Sequence, residues 1–86
     1  MATMDSNEEF FGVLGSLIEK WCDRRCLNAL YRILGAYLAF NGLADGWGEL
    51  HIALQDVQAF ARTELTADEV KDVDDLIRAA DRALHR

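Results

Sequence analysis

An all-α fold is predicted by three observations: two apolar stripes at helical spacing, helix-start signals ahead of them, and no proline anywhere in 86 residues. Trp47, Leu50, Leu54, Val57 and Ala61 step by three and four residues, and Val70, Val73, Ile77, Ala80 and Leu84 repeat the rhythm. Each set therefore lies on one face of a helix and calls for burial there. The pattern supports a four-helix bundle or a compact helical array, with helices at about 6–22, 24–40, 45–63 and 67–84 joined by short connections. Residues 1–5 read as a flexible N-terminal tail and 6–86 as a single helical domain.

The first helix opens on Ser6, with Glu9 three places on as its capping-box partner. Phe10, Phe11, Val13, Leu14, Leu17, Ile18, Trp21 and Cys22 make a broad apolar face opposite Ser16, Glu19 and Lys20. Gly12 and Gly15 each lower intrinsic helicity by up to about 1 kcal/mol, which marks either a close helix contact or a weak helix. Asp23 is the expected cap of the second helix, which runs to Phe40 and stops at Asn41-Gly42. Direct continuation from the first helix is the alternative. Cys26, Leu27, Leu30, Ile33, Leu34, Tyr37, Leu38 and Phe40 wrap more than half of this second helix, so it is expected to be the central and most buried one.

Asp45 is the expected cap of the third helix, which carries a polar face of His51, Gln55, Gln58 and Arg62 and reads as peripheral. The fourth has the strongest start signal in the chain. Thr66 and Glu69 form a capping box, Leu65 is placed to staple onto Val70, acids crowd the first turns, and Arg82 and Arg86 come late. Asp74 and Arg78 stand at i,i+4, a pairing worth a few tenths of a kcal/mol.

Fifteen acids against nine Lys and Arg leave a net charge of −6, the wrong sign for nucleic acid or an anionic membrane and the right one for a basic protein partner. A helix-turn-helix reading around Asn41-Gly42 fails for the same reason, because its recognition helix would begin Asp45-Gly46-Trp47-Gly48-Glu49. No stretch approaches the roughly 18 apolar residues of a membrane span, and the acidic N-terminus lacks the form of a secretory signal. Cys22 and Cys26 are too few for a disulfide framework. These features lead us to expect a cytoplasmic protein.

Chemistry finds little support. Cys22, Cys26 and His51 fall short of the four ligands of a structural zinc site, and neither His51 nor His85 follows a glutamate by three residues as a di-iron bundle requires. Nearly every acid falls on a polar helix face, and no nucleophile stands at a recognisable spacing from a base. In size, acidity and helical content the chain resembles acyl carrier proteins. It departs from them where their modified serine would follow an aspartate, since Asp45-Gly46-Trp47 offers no attachment point. No enzyme activity, metal or cofactor is expected.

At 51% hydrophobic residues the chain holds more apolar surface than a domain this small is expected to bury. The function predicted by exclusion is a small acidic protein-interaction module: an inhibitor, immunity-type or adaptor protein binding a basic partner. The alternative is a structural homodimerisation domain that pairs through the first two helices. A thiol-based redox or metal sensor using Cys22 and Cys26, with Arg24 and Arg25 between them, is a third reading. The candidate interaction residues are Phe10, Phe11 and Trp21 on the first helix, Arg24 and Arg25 at the junction, Tyr31 on the second, and Asp72 and Asp75 on the fourth.

Overall fold

Local signals set the ends of the helices, and the computed structural model describes residues 7–40 and 44–85. The elements in order are α1 (Asn7–Asp23), α2 (Leu27–Ala39), α3 (Ala44–Phe60), a 3-10 turn (Arg62–Glu64) and α4 (Ala67–Leu84). There is no strand among the described residues. Thr66 caps α4 as the sequence predicts: its hydroxyl accepts from the Glu69 N–H, and the Glu69 carboxylate accepts from the Thr66 N–H. Ser6 and Asn41-Gly42, expected as a cap and a stop, lie outside the described residues.

Asp23 is the last residue of α1 and not the cap of α2. What separates the two helices is Arg25, whose φ of 58° is left-handed. Its N–H reaches the Cys22 carbonyl at 3.2 Å, and the Cys26 N–H reaches the Trp21 carbonyl at 2.8 Å. Those two bonds are the Schellman closure of a helix C-terminus, with arginine where glycine is usual. The turn leaves Cys22 exposed and Cys26 buried. The two thiols therefore do not share one helix face.

α1 packs on α2 and α4, and α3 packs on the same two, so the four helices form a closed ring around one core. The radius of gyration, 11.8 Å, matches the ~12 Å of a compact chain this long. Phe10, Leu14, Leu17, Ile18 and Trp21 of α1 meet Leu50, Leu54 and Val57 of α3 and Val73, Leu76 and Ala80 of α4 in a single buried cluster. Each of the larger side chains contributes about 1.5–3 kcal/mol by leaving water.

Several expectations are corrected. α2 is not the most buried helix: only Ala29 and Ile33 are buried along it. α3 is not peripheral, because α2 and α4 both pack against it. It ends at Phe60 rather than near 63, and Asp45 sits in its first turn rather than ahead of it. On α4 the buried row is Glu69, Val73, Leu76 and Ala80, while Val70 and Ile77 are half-buried. That face is rotated from the predicted one because Glu69 is drawn inward. Gly12 has no atom within 4 Å of where a Cβ would stand, so it marks no close contact. Among the described residues no helix is long and apolar enough to cross a membrane.

Candidate functional site

Two features stand out: a polar clamp between distant corners of the fold, and an uncovered face on α2. The clamp starts from Glu69, only 3% exposed. A buried carboxylate is costly unless its oxygens are matched, and here they are. Arg24 donates to both, at 2.6 Å each, the Trp21 indole N–H donates at 3.3 Å and the Thr66 N–H at 3.1 Å. Arg24 above all holds the Glu69 carboxyl down at about 2 from its ordinary 4.5, with Thr66 and Trp21 assisting and burial opposing. The same pair raises the Arg24 guanidinium above its usual value.

Arg24 also donates to the Glu64 carbonyl at 2.9 Å, and Cys26 Sγ lies 3.4 Å from that oxygen. The Glu64 carboxylate turns the other way, accepting from the Asn28 and Ala29 N–H groups at 3.3 and 2.9 Å. Cys26, in the N-cap position of α2, makes no side-chain cap bond, so Glu64 supplies from the 3-10 turn the cap that α2 lacks. Asn28 Nδ2 donates to the Phe60 carbonyl, and Arg32 lies 4.5 Å over the Phe60 ring while donating to Asn28 Oδ1. No buried side-chain polar atom among the described residues is without a partner. A fully matched network of this kind holds helix corners together.

The second feature is apolar. Leu27, Tyr31 and Leu38 are 69, 83 and 77% exposed. With half-buried Leu34 they occur at spacings of four, three and four along one side of α2. Arg32 is the one charged residue of Leu27–Ala39. Leu38 leads into an open apolar recess of about 480 Å³ shared with Phe11, Tyr37 and Phe40. That recess borders an aromatic cluster in which Phe40 packs 4.8 Å from Phe11 and 4.9 Å from Trp47, ring centre to ring centre. On the other side of α2 a shallow groove of about 350 Å³ runs between Arg32, Gly35, Ala36 and Ala39 and the α3 residues Glu49, Ile52, Ala53 and Asp56.

The residues singled out from sequence do not form one surface. Phe10 and Trp21 are in the core at 1% and 0% exposure, where no partner reaches them. Phe11 is half-buried in the aromatic cluster, Arg24 is engaged by Glu69, and Arg25 holds the left-handed turn. Tyr31 is the most exposed large apolar residue described. Asp72 and Asp75 are half-buried on α4, and Asp75 bonds Arg78, which also takes Asp74. Leu27 and Leu38 were missed, although their spacing from Tyr31 is visible in the sequence. The apolar excess lies on α2, whereas the broad face of α1 is buried. Among the described residues no group of three or more His, Cys, Asp or Glu is placed to hold a metal ion. His51 is half-buried, with Nε2 4.0 Å from Asp81. No protein-family model, curated protein or solved structure matches the chain.

Proposed function

We propose that the protein is a small protein-interaction module whose docking face is the outer side of α2, and that the occupant of this face is an amphipathic helix presenting an apolar stripe. The observation that carries the reading is the exposure of Leu27, Tyr31 and Leu38 on a helix with a single charge. Leaving each in water forgoes part of the ~1.5–3 kcal/mol that burial of such a side chain contributes. Contiguous apolar patches of this kind mark interaction sites. The four-three-four spacing is the one a helix-on-helix seam uses. Inhibitor, immunity-type and adaptor roles are all compatible with such a face, and the reading assigns no catalytic group. A basic partner drawn to α4 is supported less, because Asp74 and Asp75 already share Arg78 on their own helix.

A fluorescently labelled synthetic helix tests this, with leucines at four-three-four spacing on one side and alternating Lys and Glu on the other. Its anisotropy is titrated with the wild type and with the Tyr31→Lys, Leu38→Lys double variant, whose fold is checked by circular dichroism. Both positions are solvent-facing, so the fold is expected to persist. The wild type should bind and the variant should lose at least about tenfold in affinity, the equivalent of ~1.4 kcal/mol. Equal binding by the two proteins, or none by the wild type near 1 mM, the weak limit of useful affinity, removes the docking role.

A further inference from the structure

The geometry points to a small-molecule site in the groove between α2 and α3, one that takes an aliphatic diammonium: a linear alkyl chain with an ammonium group at each end. It lies apart from the outer row of α2 and does not depend on the docking role of that row. Glu49, Ile52 and Asp56 form its α3 wall, and Gly35, Ala36 and Ala39 of α2 with Ala53 of α3 form a floor of small residues. Seven residues separate the two acids, so they stand at the two ends of the groove, about 10 Å from each other along α3. Neither makes an ion pair or a side-chain hydrogen bond among the described residues. Asp56 is half-buried, and an unmatched charge where water is partly displaced attracts a cation more strongly than one on open surface.

The one cation of the lining is Arg32. Asn28, near the start of α2, bonds the carbonyl of Phe60 at the end of α3, so the two helices run antiparallel and Arg32 stands at the Asp56 end. Its Nε donates to Asn28 Oδ1 and its guanidinium lies over the Phe60 ring, which leaves Asp56 unpaired. Size and spacing choose among the possible occupants. Carboxylates about 10 Å apart cannot close on one metal ion, whose oxygen ligands lie at about 2.0–2.6 Å. The groove holds about 350 Å³, at the small end of organic-ligand sites, and spans only two turns of each helix. That is too little surface for a protein partner, which needs ~800 Å². A methylene chain laid on the small residues, with an ammonium at each carboxylate, matches the lining in both charge and polarity.

The test is an NMR titration of the isotope-labelled full chain with 1,8-diaminooctane at low salt, followed through the amide shifts of Gly35, Ala36 and Ala53. Wild type should saturate with a dissociation constant of about 1–10 mM, the range that so small a ligand reaches at ordinary efficiency per atom. 1,4-Diaminobutane, too short to reach both carboxylates, and magnesium, which has the charge without the chain, should each bind at least about fivefold more weakly. Glu49→Gln and Asp56→Asn should each weaken binding about twofold to fivefold, the worth of a part-exposed ion pair, while Glu19→Gln, at an exposed acid on α1, leaves it unchanged. Gly35→Leu keeps every charge and fills the groove. A Cβ at Gly35 meets nothing within 4 Å, so circular dichroism should show the fold retained while binding falls at least about tenfold. Arg32→Gln removes the one repelling charge and should tighten binding. A wild type that fails to saturate by about 30 mM, an equal loss in Glu19→Gln, undiminished binding by Gly35→Leu, or weaker binding by Arg32→Gln overturns the site. A helical peptide with two lysines seven residues apart that binds at the same amides at least about tenfold more tightly than the diamine makes the groove a protein-docking surface and overturns the small-molecule assignment.

Discussion

Replacing Glu69 by glutamine keeps the shape of the buried group and removes its charge, so it isolates what the Arg24 pair contributes. The carboxyl is held at about 2 in the folded chain against 4.5 when free. A depressed folded value means that stability is fully present above 4.5 and is lost as pH falls towards 2. Taken at face value the shift corresponds to about 3 kcal/mol, and since the Arg24 side chain is 39% exposed, a loss of about 2–3 kcal/mol at pH 7 is expected of Glu69→Gln. The assay is urea unfolding followed by tryptophan fluorescence at a series of pH values from 7 to 2. Trp21 donates directly to Glu69 and so reports locally. The wild-type and variant stabilities should differ most at neutral pH and converge as the wild-type carboxyl protonates. A difference that stays constant across that range would refute the reasoning, since it would make the loss one of packing and not of charge.

Arg25→Gly should stabilise the chain by about 0.5–1 kcal/mol net in urea unfolding, because it relieves a left-handed arginine at the cost of glycine's extra freedom when unfolded. Gly12→Ala, in open space within α1, should add about 0.5–1 kcal/mol in the same assay. Leu54→Asp strands a charge in the core and should abolish the circular dichroism of the fold at 25 °C, whereas Leu34→Asp, at a half-buried position, should cost less and leave a cooperative melt. Glu64→Ala should speed hydrogen exchange at the Asn28 and Ala29 amides and lower stability by about 1 kcal/mol, the usual worth of a helix cap.

Much of the fold was legible because it depends on near neighbours. The row Leu50, Leu54, Val57 and Ala61, along α3 and just past its end, is buried as its spacing predicts, and the Thr66–Glu69 box starts α4 where three-residue spacing places it. The errors arise where a distant group decides. Glu69 reads as a surface acid of a first turn, and nothing local announces that Arg24, 45 residues earlier, will bond both its oxygens. Once it is drawn inward, the α4 face turns with it. Arg25 is not a residue that signals a left-handed turn, so the sequence alone points to Asp23 for the break between α1 and α2. α2 departs from its expectation for another reason. Hydropathy reports how much apolar surface a helix carries, and the same amount serves a buried helix or one that is half covered. Tyr31 could be named from sequence; that Leu27 and Leu38 share its open side required knowing which side α1 and α3 leave free.

The clamp and the open face are physically connected. Leu27, at one end of the exposed row, is the first residue of α2, where an uncapped helix frays, and α2 has no side-chain cap of its own. Glu64 closes that end from across the fold, while Arg24 fixes the Glu64 carbonyl and Glu69 fixes Arg24. The outer row of α2 is thus held rigid by bonds made on its inner side, none of which uses a side chain of the row itself. Under the docking role proposed for α2, a partner would meet an ordered helix and avoid the cost of ordering one, about 1–2 kcal/mol per residue of backbone. Exposed apolar side chains on a short helix of 13 residues would otherwise favour unwinding or collapse. Under the docking role proposed for α2, the matched polar network would serve recognition at a distance: it contributes no contact to that face, and it anchors the end of the helix that carries it.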